Sequence, residues 1–123
     1  MLERWNSHDI DGLLDVCHVG VRFRSLVAAV EGSKEHRGHE EVRQWWDEVE
    51  TIFSDRRMEC DAIWTQGEWV IFDGTGIGTG RASQAEVRWP FRGVARASAG
   101  KLTEVRLFAE ADEADVYMGD DNG

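Results

Sequence analysis

The chain has 123 residues, which suits one domain and leaves little room for a second. Apolar residues make up 41% of it, enough for a core and too many for gross disorder. A net charge of −10 argues against nucleic acid or an anionic membrane as a partner, and its plainest reading is solubility.

The first predicted element is the end of a helix over residues 1–7, carrying Leu2 and Trp5. Asp9 then reads as the N-cap of a second short helix whose apolar face is Ile10, Leu13, Leu14 and Val16. Helices this short are marginal alone and must rely on packing. Residues 19–25 alternate: Val19, Val21 and Phe23 point one way, Arg22 and Arg24 the other, as in a half-buried strand. A polar loop over 31–38 follows.

The clearest helix spans 39–53, with Val42, Trp45, Trp46, Val49, Ile52 and Phe53 recurring at helical spacing. An aromatic stripe of this kind is most often core. Beyond Met58 the period becomes two, and strands are expected over 57–66, 68–80, 85–97 and 102–110, with turn residues at each junction. Val87, Trp89 and Phe91 share one face, opposite Glu86, Arg88 and Arg92; the pattern slips at Gly93, where Val94 becomes the apolar residue, and a bulge there is expected. Residues 69–72 are apolar on both sides, so both sheet faces should be covered near them, one by helices and one by a second subunit. A short turn over 112–117 and a flexible acidic tail over 118–123 close this single domain, 1–123.

Helices followed by a meander of long strands give an α+β class: a curved, mainly antiparallel sheet against about three helices. A bent sheet packed on one long helix leaves a concave apolar space, where small ligands bind. Six tryptophans favour such a pocket. No apolar stretch approaches the roughly 20 residues of a membrane span. Cys17 and Cys60 have no metal-like or redox-like spacing, so free thiols and a cytoplasmic location are expected.

The glycine-rich run 74–80 lies inside a strand pattern with no helix after it and no P-loop lysine, so it reads as a curving strand rather than a phosphate loop. His36 and His39 flank a glycine at a loop–helix junction without the further ligands zinc requires, and no metal or cofactor is expected. There is no nucleophile elbow, and neither cysteine has assignable partners. Acid–base chemistry in an apolar pocket remains. It needs an inward carboxyl whose pKa desolvation has raised. Asp73, which shares parity with Trp69 and Ile71, is the best candidate, set against a plain outward or strand-edge carboxylate; Asp61 is a weaker one. Arg22, Arg24, Arg92 and Arg106 are surface or interface cations by default, or an anion anchor if one lies inside.

Residues 5–9 closing a helix, the short helix 11–16, the strand 19–25, the run Arg37-Gly38-His39-Glu40-Glu41-Val42-Arg43-Gln44-Trp45-Trp46, and the segments 78–83 and 100–106 together resemble the SnoaL-like branch of the nuclear transport factor 2-like superfamily. The resemblance covers nearly the whole chain. It implies a cone-shaped, cystatin-like roll with a mixed sheet, a homodimer, and any of several cofactor-free activities or none; fold alone does not choose among these. The general-base aspartate of the ketosteroid isomerases in that superfamily falls at Ser25, their proton-donating aspartate at Arg92, and their tyrosine near Met1. The resemblance therefore disfavours ketosteroid isomerisation by that mechanism. The family's first helix usually has several turns; here it is short, which implies either a start placed late or a more open pocket mouth.

The expected function is binding of a small hydrophobic, cyclic molecule, with Phe23, Ser25, Trp46, Val49, Trp69, Ile71, Val87 and Trp89 around it and Asp73 and Arg92 as polar groups. Catalysis, if present, would be isomerisation, cyclisation or (de)hydration. The alternative is a non-catalytic dimerising or scaffold module.

Overall fold

A computed structural model describes residues 2–25 and 35–122. Of the loop expected over 31–38, residues 31–34 lie outside the described residues, while residues 36–38 are strand and helix. The elements are α1 (Leu2–Asn6), α2 (Ile10–Asp15), β1 (Cys17–Arg24), β2 (His36–Arg37), α3 (Gly38–Ile52), β3 (Phe53–Gln66), β4 (Trp69–Gly80), β5 (Glu86–Ser98), β6 (Lys101–Phe108) and α4 (Ala111–Asn122). No described helix is long and apolar enough to cross a membrane.

The two short helices are held by specific contacts rather than by length. Asp9 caps α2, its carboxylate accepting from the Gly12 N–H at 2.9 Å. Asn6 at the end of α1 pairs with the edge of β3 as a strand residue would: its amide donates to the Met58 carbonyl at 3.0 Å and accepts from the Met58 N–H at 2.8 Å. That contact blunts an otherwise open strand edge. α3 buries Val42, Trp45, Trp46 and Val49, the stripe its periodicity predicts.

The sheet has the order β2-β1-β6-β5-β4-β3, antiparallel throughout except for the parallel β1–β6 pair. Its concave face meets α1, α2 and α3. There Val21 and Phe23 of β1, Phe72 of β4, Phe91 and Ala95 of β5, and Val105 and Leu107 of β6 join the tryptophans in the main core. The other face carries a second, smaller core of Trp69, Ile71, Val94 and Phe108 beneath Ala114 and Met118.

This second core corrects two expectations. The outer face at Trp69 and Ile71 is covered by the chain's own helix α4, not by a second subunit, and the segment read as a turn with a loose tail is helical from Ala111 to Asn122. The change at Gly93 is not a bulge: β4 and β5 stay in register from Val70↔Ala95 to Thr79↔Glu86. Phe91 and Ala95 face inward and Val94 outward, so two apolar faces overlap in the sequence and imitate a slip. The register shifts lie elsewhere, between Ser54 and Arg57, between Cys60 and Ala62, between Arg96 and Ala97, and between Cys17 and Arg22.

Gly93 has a different reason to be glycine. It stands opposite Phe72, and a Cβ built on it would lie 2.3 Å from that ring. Phe72 is buried and meets Phe91 edge-on at 5.9 Å, so the ring has little room to retreat. Gly93→Ala is expected to destabilise the protein by about 1–3 kcal/mol, the usual cost of overpacking a well-filled core. A urea titration read by tryptophan fluorescence checks it; an unchanged midpoint would mean that the ring moves freely.

Candidate functional site

Between the concave face and α3 lies a narrow apolar cleft, open to solvent. Its walls come from separate elements: Trp5 from α1, Ser25 just after β1, Trp45 and Val49 from α3, Phe53 and Met58 from β3, Gly76 from β4, Trp89 and Phe91 from β5, and Leu107 from β6. The space exists because β4 supplies glycines where β3 and β5 supply rings. A Cβ at Gly76 would sit 2.5 Å from the Trp89 indole nitrogen, and one at Gly78 would touch Phe53 at 3.3 Å. The glycine run read as a curving strand thus makes room for the cleft's aromatic walls.

The polar content of the cleft is distinctive. Its lining includes Arg56 and Arg57 but no carboxylate. Arg56 is 6% exposed and stands on β3, where Asp55 and Arg56 together face Gly78 alone, since Ser54 pairs with Thr79 and Arg57 with Ile77. Asp55 takes a φ of +50° there, a strained value for a residue with a Cβ. A bulge of this kind re-aims side chains. The Arg56 guanidinium carbon lies 4.3 Å from the ring centre of Trp46, 5.7 Å from that of Trp5 and 5.9 Å from that of Trp45. Its Nη2 donates to Glu50 Oε1 at 2.8 Å. His8, at a φ of +60° between α1 and α2, contacts the same Glu50 oxygen through Nδ1 at 2.9 Å and the Arg56 carbonyl through Nε2 at 2.8 Å. Burial works against a charge on Glu50, but the hydrogen bond and charge of Arg56, with His8 beside it, hold its carboxyl below the ordinary range.

The residues singled out from the sequence divide between two faces. Ser25, Val49 and Trp89 line the cleft. Trp46 is buried one layer behind it, against Arg56 and Trp5. Phe23 lines a neighbouring apolar crevice with Leu13, Cys17 and Val42. Burial pushes the Cys17 thiol up, away from reactive thiolate. Val87 shares the inward parity of Trp89 but lies near the strand's end and is 42% exposed.

Trp69, Ile71, Asp73 and Arg92 are placed away from the cleft. They share parity, as the sequence implies, but the face they share is the one under α4. Asp73 and Arg92 are directly opposed on β4 and β5 and form a two-pronged ion pair at 2.8 and 2.9 Å, with Arg92 also over Trp64 at 5.2 Å. The Arg92 hydrogen bond holds the Asp73 carboxyl below its usual range, opposite to what a general base in an apolar pocket requires. Asp61 is exposed at the β3 irregularity between Cys60 and Ala62. His39 contacts the Cys17 carbonyl at 3.1 Å, and no group of metal-ligating side chains gathers among the described residues. Sequence reasoning missed Arg56, because the predicted strand began one residue after it; parity with Met58 was the available signal.

The sequence model of the SnoaL-like domain matches residues 1–105. No characterised protein matches the chain by sequence. Among solved structures, it is similar to a nuclear transport factor 2-like protein of unknown function from Burkholderia pseudomallei, with 21% identity, 92% of this chain and 87% of that one covered, and a TM-score of 0.78. TerC co-crystallised with polyporic acid is similar at 18% identity, with 94% and 89% covered and a TM-score of 0.77. A putative SnoaL-like polyketide cyclase from Jannaschia sp. CCS1 is similar at 16% identity, with 86% and 76% covered and a TM-score of 0.72. At these identities the structures establish the fold alone. The match over residues 1–105 and the cone built by the six-stranded sheet agree: the chain belongs to the SnoaL-like domain family, with the nuclear transport factor 2-like fold.

Proposed function

We propose that this domain binds a small hydrophobic, cyclic molecule in the cleft between α3 and the concave face. The observation that carries the reading is the cleft itself, narrow, apolar and walled by Trp5, Trp45, Phe53, Trp89 and Phe91. Flat aromatic walls suit a flat ring, and a ring larger than a few atoms enters only if these walls part. Polyporic acid in crystals of TerC, a protein of the same fold, supports the choice of a cyclic ligand. If catalysis accompanies binding, its class is cofactor-independent isomerisation, cyclisation or (de)hydration. Arg56 rather than Asp73 would then be the polar group, supplying charge to a developing oxyanion.

A thermal-shift screen of cyclic hydrophobic compounds tests the reading. Hits are expected to lose most of their stabilisation in Trp89→Ala, which removes a half-buried wall, and to keep it in Asp73→Asn. The reverse pattern, or no hit at all, would overturn the site.

A second reading, a dimerising module without chemistry, draws on Ile63 and Val70. They are diagonal neighbours on one face of the β3–β4 ladder and are 68% and 36% exposed. Light scattering of the wild type and of Ile63→Glu decides it: a dimer that dissociates in the variant supports this surface, and a monomer in both removes it.

A further inference from the structure

Trp5 is the one residue that lines both apolar spaces beneath the helices. On one side of it lies the cleft, and on the other the crevice with Leu13, Cys17, Phe23 and Val42. Each is narrow, with free space on the scale of a water molecule. The indole between them is what keeps this apolar space divided. Its ring centre lies 5.4 Å from that of Trp46, 5.6 Å from that of Trp45 and 6.0 Å from that of Phe23. The Arg56 guanidinium carbon lies 5.7 Å from the same ring centre. These four groups make a seat for a flat bicyclic aromatic ring, and the ring that fills it is the chain's own.

The element that carries Trp5 is weakly held. Helix α1 has five residues, too few to be stable alone. Glu3, Arg4 and Asn6 are exposed and Trp5 is only half-buried, while Trp45 and Trp46, on which it packs, are buried. Two exposed side chains tether α1 to the rest of the fold. Asn6 exchanges hydrogen bonds with the Met58 backbone, and His8 contacts Glu50 and the Arg56 carbonyl. Water can take over hydrogen bonds at an exposed site, so breaking them costs little. Helix α2 is anchored separately by the buried Leu13 and Leu14, and the turn at His8 and Asp9 joins the two helices. Helix α1 can therefore leave without disturbing α2 or the sheet.

We propose that Trp5 is a built-in occupant of the ligand site: α1 swings out about the turn at His8 and Asp9, the cleft and the crevice join, and a flat bicyclic aromatic molecule takes the place of the indole among Phe23, Trp45, Trp46 and Arg56. This rests on the reading of the cleft as a ligand site and adds how a ring enters and what size and shape it has. A neutral, electron-rich ring suits the place, because the charge beside the indole is a guanidinium. While α1 is closed the site is filled, so the apparent affinity falls with the fraction of molecules that are open. Loosening α1 therefore strengthens binding without altering a wall.

The probe is indole, the ring of the displaced side chain, with camphor as a rounded molecule of similar size. Binding is measured by isothermal titration calorimetry with the wild type, Trp5→Ala and Asn6→Ala, and a thermal melt shows that each variant folds. Opening is read in the wild type from amide hydrogen exchange at Met58, whose N–H donates to Asn6 and is released when α1 leaves. Indole is expected to speed Met58 exchange about 10-fold or more while slowing the amides of the β4–β5 ladder. Trp5→Ala, with the place vacant, should bind indole about 10-fold or more tighter than the wild type, and Asn6→Ala several-fold tighter. Met58 exchange and Asn6→Ala decide the matter if Trp5→Ala fails to fold. Camphor should bind more weakly than indole throughout, and equal affinity overturns the flat-ring assignment. Indole binding that leaves Met58 exchange unchanged or slower means that Trp5 stays in place; it overturns the displacement and leaves the cleft standing as a ligand site. Faster exchange at Met58 and in the β4–β5 ladder alike is general loosening and also overturns the displacement. Binding by Trp5→Ala alone means a hole made by the substitution, with Trp5 a fixed part of the core, and overturns the proposal. Binding by none of the three overturns the displacement and the cleft together.

Discussion

Glu104→Ala is expected to cost about 3–5 kcal/mol, the range for removing one partner from a buried charge pair. Glu104 is 1% exposed on the outward side of β6. It accepts from Arg106 Nε at 2.5 Å, from Arg96 Nη2 at 2.7 Å and from the Tyr117 hydroxyl. Glu35 also accepts from Arg106, and from Arg22 at 3.1 Å and Arg37 at 2.7 Å, so the network ties β1, β5, β6 and α4 together. Removing the central carboxylate leaves Arg106, itself 6% exposed, and Arg96 crowded with reduced compensation. It also frees Tyr117, whose ring packs on Trp69 at 5.9 Å and Phe108 at 5.7 Å, and so loosens α4 from the sheet. Glu104→Gln keeps the shape and some hydrogen bonds and should cost less; urea titrations of both variants check the order.

The same network sets a pH dependence. Burial opposes the charge of Glu104, but hydrogen bonds from Arg106, Tyr117 and Arg96 more than offset this and hold its carboxyl below the ordinary range; Glu35 is lowered in the same way by Arg37, Arg106 and Arg22. A carboxyl depressed on folding adds stability that is complete above its unfolded value, about 4.3 for glutamate. That stability is lost as pH falls past this value and on through the lower folded one. Wild-type stability should therefore decline steeply on the acid side, and Glu104→Ala should flatten the decline. A variant as steep as the wild type would remove Glu104 from the account.

Much of the architecture is legible in residue spacing. The stripe from Val42 to Val49 defines α3 because an apolar residue every third or fourth position can face only one way on a helix. Alternation likewise gives the faces of β1 and β4. Parity says which residues share a face, but not which face closes over the cleft, and Asp73 shows the difference. Its grouping with Trp69 and Ile71 is visible in the sequence, while its outward position depends on α4. That helix is hard to read because Asp112, Glu113 and Asp115 outnumber its buried contacts, Ala114 and Met118, one turn apart. Arg56 is hidden for another reason. A bulge lets an arginine enter an apolar face, and hydropathy patterns assign arginine to solvent.

Trp46→Ala should destabilise the protein by about 3–5 kcal/mol, as large-to-small changes at buried aromatic sites do. Trp46 is 3% exposed, meets Trp5 edge-on at 5.4 Å and Trp45 at 6.3 Å, and closes one side of the space around Arg56 at 4.3 Å. Its loss opens a cavity in the main core and takes the nearest ring from a buried cation. Trp46→Phe keeps an aromatic face and should lose less. A double-mutant cycle of Trp46→Ala with Arg56→Met separates the two effects, because a cavity alone is felt equally with and without the guanidinium. A coupling of about 0.5–2 kcal/mol is expected for the ring–cation contact. Additive losses would mean that Trp46 acts through volume alone and that Trp5 and Trp45 suffice to hold Arg56 at the cleft.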